Sequence, residues 1–151
     1  MFLAGYSDMS LLLEFKARSR IDGNYPLYNN SRDPPNNGDF LTVTQIIKAV
    51  MSSATKVKLG ALYINCPGAI PTCHTLITME HPYPPTPMKT VNTTALGVVR
   101  NTIDPRRTNA MDMHFHWLRC RKAQQKFRHY WRPGLTNNSD YVTKHQTAVH
   151  H

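Results

Sequence analysis

Met1-Phe2-Leu3-Ala4-Gly5-Tyr6-Ser7-Asp8 and, after a short interval, Lys16-Ala17-Arg18-Ser19-Arg20-Ile21 decide the fold. The first stretch is mostly apolar, closes on Tyr6-Ser7-Asp8, and reads as a short strand over residues 1–9. In the second, Ala17, Ser19 and Ile21 stand against Lys16, Arg18 and Arg20. That imperfect period of two predicts a second strand over 15–28, bent at Gly23. Asn29 to Gly38 is crowded with Asn, Pro and Gly and reads as a turn or loop. A third short strand is expected around Phe40 to Val43. Three strands joined by turns make the start of an antiparallel sheet.

The pattern then changes period. Val43, Ile46, Ile47, Val50, Ala54, Val57, Ala61 and Ile64 recur at steps of three and four, which predicts a helix closed by Pro67. A second helix is expected from Ala69 to Met79. His81-Pro82-Tyr83-Pro84-Pro85-Thr86-Pro87 reads as a stiff extended linker, leading into a strand at Met88 to Val91. Thr93 to Asn101 suits a short helix. Asp104-Pro105 is a helix start, with Asp as N-cap and Pro at the first helical position. That helix is expected to reach Ala123 and to bury Met111, Phe115 and Leu118. Phe127 to Trp131 reads as the last strand, and Asn138 or Ser139 as the cap of a terminal helix. Helix–strand alternation after hairpin-linked strands predicts one α/β domain over residues 1–151: a mixed sheet, three antiparallel strands then parallel ones, flanked by helices. The tail from about 146 is expected to fray.

The chain has 151 residues and a formal charge of +9, from 18 Lys and Arg against 9 Asp and Glu. Such an excess in a domain of this size suits a polyanionic partner, nucleic acid above all. Arg119, Arg121, Lys122, Lys126, Arg128 and Arg132 cluster among aromatic residues near the C-terminus, the mixture that a nucleic-acid backbone and its bases call for. No apolar run approaches the ~20 residues that span a bilayer, and the first residues are too short for a signal h-region. No membrane association and no targeting segment are expected, and an intracellular site, cytoplasm or nucleus, is the natural setting. Cys66, Cys73 and Cys120 are odd in number and lack CxxC spacing, so they read as thiols, buried or partly buried, in a reducing compartment. His114 and His116, two apart on a helix, do not face one another, and Cys66, Cys73 and His74 lack the paired spacing of a zinc site. Neither a phosphate-binding glycine loop nor a nucleophile elbow appears, and no small-molecule cofactor is expected.

The order of short words along the chain resembles the ribonuclease H domain that closes the polyprotein of Ty1/copia-type retroelements. Gly5-Tyr6-Ser7-Asp8 is similar to the "SDAS" strand of that family, and Lys16-Ala17-Arg18-Ser19-Arg20 to the "KARSR" of one branch. Met51-Ser52-Ser53-Ala54 with Gly60-Ala61-Leu62 resembles the helix written "SSxxEAEYxAL". Asn138-Ser139-Asp140-Tyr141-Val142-Thr143-Lys144-His145 is close to "LADYFTKHH". Ala110-Met111-Asp112-Met113 and Tyr130-Trp131-Arg132-Pro133-Gly134 fall between them where the branch has similar words. The resemblance covers nearly the whole chain and implies an RNase H-like five-stranded sheet beside a reverse transcriptase domain in cis.

It also implies a reaction, hydrolysis of the RNA strand in an RNA–DNA hybrid. Two Mg²⁺ ions about 3.5–4 Å apart serve that chemistry by activating water and stabilising the leaving oxygen, and Mg²⁺ takes oxygen ligands. Four carboxylates from the first strand, the long helix, the fourth strand and the terminal helix hold them in the family. The matching positions here are Asp8, Lys58, Val91 and Asp140. Asp8 and Asp140 remain as remnant catalytic and metal-binding carboxylates, while Lys58 and Val91 replace the other two, and Lys56 replaces a further acid of the helix word. A lysine charge ~4 Å from another cation costs roughly 4 kcal/mol at an effective dielectric of ~20, so two-metal catalysis is expected to be lost. Asp112 reads as a surface helix residue, and Glu14, Asp22, Asp33 and Asp39 are expected away from the site. The resulting expectation is a degenerate RNase H-like module retaining nonspecific nucleic-acid binding. The alternatives are a basic binding or structural protein reused by its host, or a fragment of a decaying element.

Overall fold

β3 (Ser19–Tyr28) is the strand on which the sheet is built, and it is almost wholly buried. In the computed structural model, which describes residues 2–10, 16, 18–28, 38–48, 53–81, 84–103 and 112–136, it pairs on both sides. β1 (Phe2–Leu3) and β2 (Gly5–Met9) are two pieces of one strand that run antiparallel to it in a single register, Phe2 opposite Tyr28 and Met9 opposite Ile21. On its other side β3 pairs with β4 (Asp39–Ile47), also antiparallel. β5 (Thr86–Thr90) then lies parallel to β2, and β6 (Phe127–Trp131) parallel to β5. Counting β1 and β2 as one, five strands stand in the order β4, β3, β2, β5, β6. The expected mixed sheet, antiparallel first and parallel afterwards, is the one found. A short 3₁₀ turn, Gly134–Thr136, follows β6.

Helix α1 (Ala54–Thr78) lies across one face of the sheet, with α2 (Thr93–Arg100) and α3 (Asp112–Ala123) beside it. The core between them holds Leu3, Tyr25, Leu62, Cys66, Met88, Val99, Leu118 and Phe127. A smaller cluster, Met9, Ile21, Ile47, Val57 and Ala61, pins the first turns of α1 to the ends of β2, β3 and β4. Phe115 and Leu118 are buried as expected. Cys66 is buried and Cys73 half-buried, but Cys120 is exposed. No helix among the described residues is long and apolar enough to cross a membrane.

Several boundaries differ from expectation. The long periodic helix does not begin at Val43: residues 39–47 are strand, and α1 starts at Ala54, capped by the Ser53 hydroxyl accepting from Lys56 N at 3.3 Å. Thr42-Val43-Thr44 and Ile46-Ile47 are β-branched, and their pairing with β3 prevails over the helical period. Nor does Pro67 end the helix. α1 runs through Pro67 and Pro71 to Thr78, absorbing the second helix expected at Ala69 to Met79. β3 is not bent at Gly23. Its register shifts between Tyr25 and Pro26 instead, where proline has no N–H to donate. Glycine at 23 is required for space: a Cβ there would lie 2.6 Å from Asn65 Oδ1. β5 begins two residues earlier than expected. The helix start at Asp104-Pro105, the terminal helix and the tail from 146 lie outside the described residues.

Two measurements test this packing. Each interior proline removes a helical hydrogen bond and crowds the preceding turn, at about 3 kcal/mol or more, less what proline gains by restricting the unfolded chain. Pro67 is exposed, so Pro67→Ala is expected to stabilise the chain by about 1–3 kcal/mol in urea unfolding; a loss of stability would contradict a helix continuous through 67. His129 on β6 is 3% exposed, and burial, with the charges of Lys122 and Arg100, pushes its pKa down from 6.5 to about 4. The unfolded chain therefore takes up that proton first as pH falls. The group's contribution is complete above 6.5 and is lost as pH falls through about 4, a loss of roughly 3 kcal/mol. His129→Gln should flatten the dependence of stability on pH in that window, whereas an unchanged slope would refute the buried neutral imidazole.

Candidate functional site

Asp8 sits near the end of β2 at the middle of the sheet and is 1% exposed. Burying a carboxylate there is costly unless a cation or several donors meet it. Lys58, in the second turn of α1, meets it: the ammonium is bound to Asp8 Oδ1 and also donates to Met9 O at 2.5 Å, with the lysine side chain itself 14% exposed. The contact follows from the packing of α1. Val57 and Ala61 are held in the cluster with Met9 and Ile21, so the lysine beside Val57 is set against the strand end.

Val91 follows β5 directly. Ser7 pairs with Thr90, so Val91 is one step past that pair, as Asp8 is one step past Ser7. It is half-buried, and its carbonyl accepts from Trp131 Nε1 at 3.1 Å. Asn92 then caps α2, its Oδ1 accepting from Ala95 N at 2.7 Å. The fold thus gathers Asp8, Lys58 and Val91 at one end of the parallel strands. Asp140 lies outside the described residues, as do Glu14 and Asp33 and the side chain of Asp112.

One acid expected elsewhere belongs to this place. Asp22 lies directly across from Asp8 in the β2–β3 pairing and is fully buried. Cross-strand partners share a face with Cβ atoms about 5 Å apart, and like charges so placed repel. Thr44, opposite Asp22 on β4, donates to its Oδ1 at 2.6 Å. The earlier expectation failed because only the strand register brings residues 14 apart into one row. Asp39, by contrast, is exposed at the start of β4, with its carboxyl pushed up by desolvation.

The residues present suit an internal cation better than Mg²⁺. A divalent ion on Asp8 would have to displace the lysine ammonium from the same oxygen. Two of the four matching positions carry no carboxylate, and among the described residues no three His, Cys, Asp or Glu side chains are grouped to hold a metal.

A second polar cluster, not anticipated, stands two residues back along β2. Tyr6 and Tyr28 share a hydrogen bond of 2.6 Å, and both Lys89 Nζ and Arg132 Nη1 donate to the Tyr6 oxygen, at 2.9 and 2.7 Å. Burial by itself would push the Tyr6 phenol up. The bonds from Lys89 and Tyr28 and the charges of Lys89 and Arg132 bring it below its ordinary value instead, while burial and the bond to Tyr6 push Tyr28 up.

The six cations expected to bind nucleic acid divide. Arg119 Nε donates to Val98 O at 2.9 Å and its guanidinium lies over Phe115, so it ties α3 to α2. Arg132 is engaged by Tyr6. Arg121, over the Trp117 ring, and Lys126 line a cavity of about 180 Å³ with Phe127 and His74. Lys122 and Arg128 line an adjoining one. His114 stacks on Tyr63 with ring centroids 4.1 Å apart, while His116 is exposed beside Phe115. These two histidines thus have packing and surface settings.

No known family model matches the sequence, and no curated protein sequence matches it. Solved structures do. RNase H1 from the halophilic archaeon Halobacterium salinarum superposes with a TM-score of 0.59 at 11% identity, over 95% of this chain and 94% of that one. LC11-RNase H1, a protein isolated from compost and solved in complex with an RNA/DNA hybrid, gives 0.65 at 7% identity, over 93% and 92%. The protease-reverse transcriptase of prototype foamy virus gives 0.56 at 10% identity, over 93% of this chain but 20% of its own length. At such identities it is the fold that is shared: this chain has an RNase H-like fold.

Proposed function

We propose that the chain is a degenerate RNase H-like module of Ty1/copia-type retroelement ancestry that binds nucleic acid and no longer hydrolyses it. The observation that carries this reading is the Lys58 ammonium bound to Asp8. At the position resembling the glutamate of the family helix, the chain supplies a tethered cation in place of an anionic ligand. The lysine neutralises one carboxylate oxygen, but it polarises no phosphate against an incoming water and generates no hydroxide. Val91 removes a second ligand on the neighbouring strand. The ancestral domain acted on RNA–DNA hybrids beside a reverse transcriptase in cis, with Mg²⁺ as cofactor. The likeness to LC11-RNase H1, solved with an RNA/DNA hybrid, and to a reverse transcriptase polyprotein supports that ancestry. The net charge of +9 and the exposed Lys126 and Arg128 support retained binding, through phosphates and without sequence preference.

Cleavage of a labelled RNA–DNA hybrid in Mg²⁺ and in Mn²⁺ is the deciding assay. No turnover is expected. Robust turnover abolished by Asp8→Asn would overturn the reading. Lys58→Glu combined with Val91→Asp is expected to restore Mg²⁺-dependent thermal stabilisation and, with it, cleavage. The ion pair is testable by itself. Removing one partner of a buried pair costs about 3–5 kcal/mol, so Lys58→Met should lose stability of that order at pH 7. A neutral effect at pH 7 would mean that Lys58 does not hold Asp8.

A further inference from the structure

β6 is the outer strand of the sheet, and its free side is covered by neither β5 nor a further strand among the described residues. Three cations from three elements meet there: Arg100 at the end of α2, Lys122 in the last turn of α3, and Arg128 on β6 itself. With Tyr130 they line a cavity of about 290 Å³ that has no acidic residue among the described residues of its wall. Two of the cations are held in place. Arg100 Nη2 donates to His129 O at 2.7 Å, and Lys122 Nζ lies 3.4 Å from Arg100 O. The positive field is felt inside the protein as well, since Lys122 and Arg100 reinforce burial in keeping His129 neutral.

Helix ends commonly carry cations for their own carbonyls, and that accounts for Arg100 and Lys122. It does not account for Arg128, exposed on the strand, or for Tyr130, 40% exposed beside them. A guanidinium fork, an ammonium and a second guanidinium around one concavity suit a tetrahedral oxyanion. An exposed phenol ring alongside suits a base stacked next to it.

We propose that the notch formed by Arg100, Lys122, Arg128 and Tyr130 seats a phosphate group of a single-stranded nucleic acid. The inference rests on the nucleic-acid reading above and gives it a place. β6 is two strands from β2, roughly 10 Å at the spacing of paired strands, so the seat is separate from Asp8 and Lys58. Arg100 completes it, a residue that the C-terminal run of cations does not include.

The test uses the full chain and a fluorescent 15-nucleotide single strand, with and without a 5′-phosphate, titrated across salt concentrations. Arg128→Gln and Lys122→Gln are each expected to weaken binding equally for unrelated sequences and to lower the slope of log K against log[salt] by about one. Tyr130→Ala should weaken binding with the slope unchanged. Tighter binding of the 5′-phosphorylated strand, lost in Arg128→Gln, identifies a terminal phosphate; equal binding of the two strands, with the same variant effects, identifies a phosphodiester. Single-strand binding with affinity and slope unchanged in Arg128→Gln and Lys122→Gln overturns the seat while leaving the broader reading intact. Hybrid binding without single-strand binding overturns it too, and failure to bind either overturns both. Unfolding midpoints of the two Gln variants matching the parent exclude misfolding as the cause of any loss.

Discussion

The centre of this structure depends on the burial of Asp8. A carboxylate at 1% exposure, faced across the strand pair by a second buried carboxylate at Asp22, is unstable without positive charge or donors nearby. In a two-metal nuclease the metal ions supply that charge, and the site is then both a structural need and a catalytic device. Here the need is met from inside the chain. Lys58 neutralises Asp8, and Thr44 donates to Asp22. Each of the two acids thus has a partner within the chain, and one Asp8 oxygen is already engaged by the lysine.

The same region shows how a polar layer organises the helix–sheet packing. Asn65 on α1 is 1% exposed, and its amide donates to Ser7 Oγ at 2.9 Å and to the Asp22 carbonyl at 3.0 Å, while Tyr25 donates to the Asn65 carbonyl at 2.5 Å. Those bonds fix where α1 crosses β2 and β3, and with it how far Lys58 stands from Asp8. They also explain the glycine at 23, which leaves room for the amide. An apolar interface would fill the same space, but directional bonds set the register of helix on sheet.

The basic character divides in a similar way. Arg119 and Arg132 serve the interior, one linking α3 to α2 and the other engaging the Tyr6 phenol. Lys126 and Arg128 remain exposed, and Lys122 stands at the rim of a cavity with Arg100. A run of cations in the sequence is therefore two populations in the fold. Only the second is left at the surface.

Local chemistry in the sequence determined much of this protein. The alternation before Ile21 and the break at Asn29 to Gly38 specify hairpin-linked strands, Thr93 to Asn101 reads as the short helix found as α2, and Phe127 to Trp131 is legible as a strand because its neighbours break it. The resemblance of short words picks out Asp8, Lys58 and Val91, which the fold sets at one end of the parallel strands. Tertiary structure decided the rest. Residues 39–47 carry a helical period and are nevertheless strand, since pairing with β3 satisfies their backbone and seats Ile47 in the core. Pro67 reads as a stop, yet the packing of α1 on the sheet outweighs the hydrogen bonds lost at Pro67 and Pro71. Asp22 joins Asp8, Tyr6 gathers Lys89 and Arg132, and Arg100 meets Arg128 by strand register and helix placement alone. Such encounters join residues from 14 to 126 positions apart, and no local pattern of residue types encodes them.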